Sequence, residues 1–144
     1  MDPGAEHVGV TSIDLVRAAC GLGFARPEER EAYVSTFMVL LDPDVEVVAD
    51  GSEHAGRAQR GVQEVRELLS SSAADWDALR IEAREVVEIG DRVLASGRVV
   101  ARSRDRGARV ELPFASVWTP RNGKVARIES YGDRAEAAAV CGVE

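Results

Sequence analysis

The second half of the chain alternates apolar and polar residues in four successive segments, and this pattern constrains the fold most strongly. From about Leu79 the apolar residues recur at every second position, in "LRIEAREVVEI", "RVLASGRVVARS", "ARVELPFASVWT" and "KVARIESY". The segments are separated by "GD", "RDRG" and "PRNG", which supply residues that tolerate positive φ in tight turns. A period of two is typical of strands with one buried face. The pattern therefore predicts a meander of four antiparallel strands.

Before Leu79 the apolar residues recur at helical spacing instead. Helices are expected in "TSIDLVRAACG", in "ARPEEREAYVSTFMVLLDPD" and in "GVQEVRELLSSS", where Val62, Val65 and Leu69 face one way. A short strand, "DVEVVAD", precedes the third helix. A last helix is expected to begin at Asp133 and to end at Gly142.

This order of elements predicts the fold class. The chain is expected to be α+β, with a strongly curved antiparallel sheet of five strands wrapped around about four helices. Its 144 residues are a typical length for one domain, which would span residues 1–144 with residues 1–10 as a mobile N-terminus. The first ten residues show no secretory signal, and the expected location is cytoplasmic.

Net charge and cysteine spacing limit which kinds of partner and cofactor are expected. The 25 acidic and 18 basic residues give a net charge of -7, which repels nucleic acid and anionic membrane surfaces. The basic cluster "RVVARSRDRGARV" is interpreted as a solvated hairpin. Cys20 and Cys141 lie far apart without metal-ligand spacing, so we expect free thiols, no metal site and no cofactor.

Aromatic residues in two distant segments predict a pocket or a core. Tyr33 and Phe37 form a stripe on the second helix, whereas Phe114, Ser116 and Trp118 alternate onto one strand face. The neighbouring strand offers only small residues opposite them, which leaves room for a flat apolar ligand. Pocket lining and plain core are equally compatible with the pattern. The predicted ligand-binding residues are Tyr33, Phe37, Val47, Phe114, Ser116 and Trp118.

Several motifs resemble one family. "LLDPDVEV", "GVQEVRELL" and especially "VWTPRNGKVARIESYGDRAEAAAVCGV" resemble the SnoaL-like group of the nuclear transport factor 2-like, or cystatin-like cone, superfamily. The resemblance covers about residues 12–143 and implies a cone-shaped fold. Relatives of that fold include polyketide cyclases, ketosteroid isomerase, limonene epoxide hydrolase and scytalone dehydratase, so the fold alone does not assign a function.

The resemblance also argues against two inherited mechanisms. The catalytic base of ketosteroid isomerase corresponds to Ala49, and its protonated oxyanion-hole carboxyl falls near Ser116. The aspartate that the epoxide hydrolases keep in the last strand corresponds to Ser130. Ketosteroid isomerase activity is therefore not expected.

Asp50 and His54 are the catalytic candidates that the sequence offers. Asp50 would act as a base if a bulge turned it inward, and His54 would shuttle protons near neutral pH. Each also has a plain interpretation, as a solvated strand end and as a surface histidine. The first hypothesis is a cofactor-free cyclase, isomerase or dehydratase acting on a small hydrophobic or polycyclic compound. The alternative is a non-catalytic ligand-binding or dimerisation module.

The outer face of the sheet predicts a homodimer. The strand alternation places several apolar residues there, which are too many to remain in water over the whole face. Arg98 and Glu111 would form the polar edge of the interface. The apolar residues are Leu94, Val100, Pro113, Ala115 and Val117.

Overall fold

The computed structural model describes residues 11–48 and 58–142, and the first and the last of its helices begin at predicted caps. The Thr11 hydroxyl accepts a hydrogen bond of 3.0 Å from the backbone N–H of Asp14, which caps the first helix. The Asp133 carboxylate accepts one of 2.9 Å from the backbone N–H of Glu136 in the same way. The helices are α1 (Ser12–Cys20), α2 (Arg30–Val39, after a 3-10 turn at Pro27–Glu29), α3 (Gly61–Ala73) and α4 (Arg134–Val140).

The described strands form one curved sheet. They are β1 (Leu41–Val48), β2 (Gln59–Arg60), β3 (Trp76–Ile89), β4 (Arg92–Ser103), β5 (Arg109–Arg121) and β6 (Lys124–Tyr131). Their order across the sheet is β2-β1-β6-β5-β4-β3, so the last hairpin lies at the centre. Asn122 and Gly123, with φ of 55° and 78°, make its turn, as expected for a two-residue hairpin loop.

The inner face of the sheet packs on the helices. Val93 and Ala95 of β4 lie directly opposite Trp118 and Ser116 of β5, and all four point inward. Val16 of α1 is fully buried in the same cluster. The α+β class with a curved sheet around helices, predicted from the change of period near Leu79, is confirmed.

The outer face is covered in part by α4. Leu94, Ala115 and Val117 pack against Ala137 and Ala138 of this helix, and all five residues are buried within a single chain. The interpretation of the first three as an uncovered dimer surface is therefore wrong. Because α4 is short and rich in alanine, it lies close to the sheet. The uncovered part of this face is smaller and mostly charged.

Two details of the sheet differ from the predictions. A sixth, two-residue strand, β2, pairs with β1, and β1 runs parallel to β6, so the sheet is mixed. Strand β1 begins at Leu41, inside the segment "ARPEEREAYVSTFMVLLDPD" in which the second helix was expected. The register shifts between Leu41 and Glu46, and an irregular stretch tolerates Pro43, which has no N–H for the ladder.

Some predictions fall on residues that the structure does not describe. These are the mobile N-terminus at residues 1–10 and the candidates Asp50 and His54. In residues 11–48 and 58–142, no helix is long and apolar enough to cross a membrane. Cys20 is buried, Cys141 is half-buried, and both are free thiols.

Candidate functional site

A cavity of about 370 Å³ lies between the inner face of the sheet and helices α2 and α3. Its volume falls within the range of pockets that hold small organic ligands. All six predicted ligand-binding residues line it. The described wall consists of Tyr33, Phe37, Val47, Val65, Leu68, Leu69, Ile81, Val99, Pro113, Phe114, Ala115, Ser116, Trp118, Ile128, Ser130 and Tyr131.

An aromatic row connects the helical side of the cavity with the sheet. The ring centroids of Tyr33 and Phe37 are 6.2 Å apart, and those of Phe37 and Trp118 are 6.3 Å apart. Tyr33 and Phe37 are four residues apart on α2, so their side chains share one face of the helix. Phe24 extends the row, with its ring centroid 5.4 Å from that of Tyr33. The row places the rings of Tyr33, Phe37 and Trp118 in the apolar wall of the cavity.

Small residues of β4 lie opposite the aromatic residues of β5. Phe114 pairs with Gly97, and Ser116 pairs with Ala95. A side chain at Gly97 has no room, since an added Cβ would lie 2.0 Å from the carbonyl oxygen of Glu82. That close approach coincides with the register shift between Ala83 and Glu85 in β3. A glycine at this position therefore allows β3 to bulge behind the cavity wall.

Hydroxyl groups supply the polar side chains of the described wall. Ser116 is 6% exposed, and its Oγ accepts a hydrogen bond of 2.7 Å from the indole Nε1 of Trp118. Ser130 lies directly opposite Ser116 in the ladder between β5 and β6. Burial raises the pKa of the Tyr33 hydroxyl above its usual range, so this group is protonated at neutral pH. With Tyr131, four neutral hydroxyl residues thus line an otherwise apolar wall.

Tyr131 lies at the edge of the cavity, on the adjacent position of β6. Its hydroxyl donates a hydrogen bond of 3.0 Å to Glu129. Burial, followed by this carboxylate, raises the pKa of Tyr131 to about 12. Glu129 is also 3.6 Å from Arg127 of its own strand. Both partners lie on the outer side of β6, away from the aromatic row.

Ionisable acids and bases are missing from the described wall. None of the lining residues in ranges 11–48 and 58–142 is Asp, Glu, His, Lys or Arg. The two catalytic candidates, Asp50 and His54, lie outside these ranges. Val47 contributes to the wall, and β1 is described as far as Val48. Within the described ranges, no group of three or more His, Cys, Asp or Glu residues is placed to hold a metal ion.

Several wall residues were not among those predicted from the sequence. Leu68 and Leu69 of α3 line the wall. The apolar face of this helix was predicted from Val62, Val65 and Leu69, but Val62 is 43% exposed. Ser130 shares a strand face with Ile128, so alternation along β6 could have identified it. Ile81 and Val99, paired across β3 and β4, carry the same alternation signal.

Solved structures similar to this chain share its fold. TerC co-crystallised with polyporic acid is 25% identical, with 91% of this chain and 98% of that chain covered and a TM-score of 0.64. A protein of unknown function with the nuclear transport factor 2-like fold, from Burkholderia pseudomallei, is 22% identical over 90% and 96% of the chains, with a TM-score of 0.65. A protein from Jannaschia sp. CCS1, described as a candidate SnoaL-like polyketide cyclase, is 13% identical over 83% of each chain, with a TM-score of 0.66.

The family follows from a match that covers most of the fold. A comparison with curated proteins found no match. A model of the SnoaL-like domain matches residues 29–128, which run from the start of α2 to β6 and include most of the cavity wall. On this evidence the chain belongs to the SnoaL-like domain family, as its resemblance in sequence implied.

Proposed function

We propose that the cavity binds a small, flat, apolar or polycyclic ligand that carries an oxygen acceptor. The observation that carries the proposal is the composition of the described wall, which is aromatic and aliphatic with four neutral hydroxyl residues. Apolar pockets with a few convergent polar groups are typical of sites for small organic molecules. An ion in the same place would lack a charged partner among the described wall residues.

The bond between Trp118 and Ser116 supports an acceptor on the ligand. The indole N–H occupies one lone pair of the Ser116 oxygen. A serine hydroxyl has one proton of its own to donate, and this bond leaves that proton available. Tyr33 is protonated at neutral pH and is a second donor in the wall. A carbonyl or hydroxyl oxygen on a flat ring system satisfies such donors.

A relative with an organic ligand supports the same ligand class. TerC, with 25% identity over 91% of this chain, was co-crystallised with polyporic acid. Polyporic acid is therefore a reasonable first probe for the cavity. The proposal for this chain rests on the wall residues named above, and the relative supplies only the choice of probe.

Acid and base catalysis on the bound ligand is the second candidate function. Asp50 follows Val48, the last described residue of β1, by two residues, and two residues of chain extend at most about 7 Å. Val47 of that strand lines the wall. Turnover would then be a cyclase, isomerase or dehydratase reaction with Asp50 as base and His54 as proton shuttle. Ketosteroid isomerisation is not expected, since Ala49 and Ser116 replace its carboxyl groups.

Binding is tested by quenching of the Trp118 fluorescence in a Trp76→Phe background. Polyporic acid and a neutral aromatic ketone are titrated separately, and both are expected to quench Trp118 to saturation. Ser116→Ala is expected to weaken ketone binding about two- to tenfold, which corresponds to one hydrogen bond. The matched control is Ser96→Ala, a buried serine on the outer face of the neighbouring strand. Absence of saturable quenching, or equal weakening by both substitutions, contradicts the proposal.

Turnover is separated from binding by substitutions at the two candidates. Turnover is measured by chromatography as the loss of ligand over time. If the second candidate function is right, Asp50→Asn abolishes this loss while the ligand still quenches Trp118. Binding without any conversion in the unmodified protein would identify a non-catalytic ligand-binding module. His54→Gln distinguishes a proton shuttle, because it would flatten the pH dependence of the rate between about pH 6 and 7.

A further inference from the structure

A groove of about 530 Å³ lies outside the cavity, where the segment after α1 crosses the ends of β3, β4 and β5. Phe24 and Leu79, which pair through their backbones, form part of its wall. Three arginines, one from each strand, form another part: Arg80, Arg102 and Arg109. The register places all three on the outer face of the sheet, so this groove is distinct from the cavity under the helices.

The arginines are brought together by strand pairing. Arg102 lies directly opposite Arg109 in the ladder between β4 and β5. Arg80 pairs with Val100, two residues along β4 from Arg102. Like charges directly opposite each other in a sheet are destabilising, so an anion between them would relieve repulsion.

The neighbouring carboxylates neutralise this cluster only in part. Glu82 binds Arg80 at 2.6 Å and Arg98 at 2.6 Å, and Glu111 binds Arg98 at 2.7 Å and Arg109 at 2.7 Å. Two carboxylates are thus shared among three guanidinium groups. Arg102 adds a fourth, which forms no ion pair with any carboxylate of residues 11–48 or 58–142.

A further carboxylate on the groove wall is already engaged. Glu29 accepts hydrogen bonds from the backbone N–H groups of Ala25 (2.8 Å) and Arg26 (3.3 Å), and it pairs with the Arg26 side chain. These bonds lower the pKa of Glu29, the one to Ala25 most, and they tie its charge to the turn before α2. The groove therefore carries a local positive excess in a protein whose net charge is -7.

We propose that this groove binds a small organic anion with an apolar body. The oxyanion head group lies between Arg102 and Arg109, and the body lies against Ala78 and Val100, which line the groove on the same face of the sheet. A guanidinium presents its N–H donors as a planar fork that matches carboxylate and phosphate oxygens, which favours this head group over a neutral one. The site is independent of the ligand proposed for the cavity.

Calorimetric titration of the 144-residue chain at low ionic strength tests the site. The probes are benzoate, phenyl phosphate, inorganic phosphate and neutral benzyl alcohol. Benzoate or phenyl phosphate is expected to bind to saturation, and whichever binds more tightly identifies the head group. Benzyl alcohol is expected not to bind. Absence of saturable heat with both aromatic anions, or inorganic phosphate binding as tightly as phenyl phosphate, overturns the proposal.

Substitutions with equal charge change locate the anion. Arg102→Gln is expected to weaken binding of the aromatic anion about tenfold or more, because a charge-assisted contact is lost. Arg106→Gln removes the same charge from the exposed hairpin tip outside the groove wall and is expected to change affinity less than about twofold. If both substitutions weaken anion binding equally, the effect comes from the overall charge of the protein, and the proposed site is contradicted.

Two further variants keep the result interpretable. Arg102→Lys retains the charge without the fork and is expected to give an intermediate affinity, which a folding defect would not produce. Ser116→Ala, in the cavity wall, is expected to leave anion affinity unchanged. A loss of anion binding in Ser116→Ala would place the anion in the cavity and refute the groove.

Discussion

The two faces of the sheet are formed by the same alternating strands, but they differ in composition and in what covers them. The inner face is apolar along its length, and where it curves away from α2 and α3 it leaves a cavity. The outer face is divided, with α4 covering one part and alternating charges on Arg80, Glu82, Arg98, Glu111 and Arg109 occupying another.

The difference shows where this fold tolerates incomplete packing. Leu94, under α4, is fully buried with helix and sheet on either side, whereas Phe114, on the inner face, is only half-buried beside the cavity. Stability is therefore expected to depend more on the small outer cluster than on the larger inner wall. The inner wall can be changed for ligand binding at a lower energetic cost.

The largest effect is expected where α4 meets the sheet. Leu94→Ala should lower the free energy of unfolding by about 2–5 kcal/mol, because it opens a void in a fully packed site. Phe114→Ala should lower it by only about 1 kcal/mol, since the ring already borders empty space. Urea unfolding followed by circular dichroism measures both. Equal losses would show that the two faces are packed equally well.

A smaller effect is expected at the glycine behind the inner wall. Gly97→Ala should cost about 1–3 kcal/mol, because the new Cβ would meet the backbone of β3 at the carbonyl of Glu82. Thermal and urea unfolding measure the loss, with Ala95→Gly on the same strand and face as a control for backbone flexibility. A change below about 0.5 kcal/mol would mean that β3 moves aside freely.

The charged part of the outer face is expected to make stability depend on pH. Hydrogen bonds from Arg80 and then Arg98 lower the pKa of Glu82 to about 2, and Arg109 lowers that of Glu111. Because these folded-state values lie below those of the unfolded chain, the contribution is complete above the unfolded pKa of about 4.3 and is lost as pH falls towards about 2.

The pH prediction is checked by urea unfolding between about pH 6 and pH 2.5. The unmodified protein should lose stability more steeply with falling pH than the double variant Glu82→Gln, Glu111→Gln. Glu88→Gln is the control, since Glu88 forms no ion pair among the described residues. Equal slopes in all three proteins would show that the charge ladder does not contribute to stability.

The smallest change in the stability of the single chain is expected from a substitution on the uncovered outer surface. The homodimer through this face stays a prediction, but of its five predicted apolar residues Pro113 alone is exposed within the single chain, beside the Arg98–Glu111 pair. Light scattering at micromolar concentration should give about twice the chain mass of 15.5 kDa. Pro113→Glu should shift the mass towards the monomer and change monomer stability by less than about 0.5 kcal/mol. A mass of one chain for the unmodified protein would contradict the dimer.

Much of the fold and part of the site could be predicted from local patterns. Alternation from Leu79 onward predicted β3 to β6, and the same alternation placed Phe114, Ser116 and Trp118 on the inner face. The turn at Asn122 and Gly123 and the cap at Asp133 are also local, since a backbone conformation or a neighbouring N–H decides them. Such features depend on residues within a few positions of one another.

Other features depend on contacts between distant residues and could not be predicted in this way. The parallel pairing of β1 with β6 joins segments about 80 residues apart, and no local pattern specifies which strand β1 will meet. The covering of Leu94 and Val117 by α4 was missed for the same reason, because apolar periodicity shows that a face is buried without showing what covers it.

The sequence by itself identified the family by its resemblance. Periodicity and turn chemistry, which act over short distances, predicted the α+β class and put on two faces the six residues that line the cavity, without deciding between pocket and core. Only the tertiary structure decided how large the cavity is, that Trp118 directs its N–H to Ser116, and that three arginines from three strands meet in one groove. Those outcomes depend on sheet register and curvature, which are set by the packing of the whole chain.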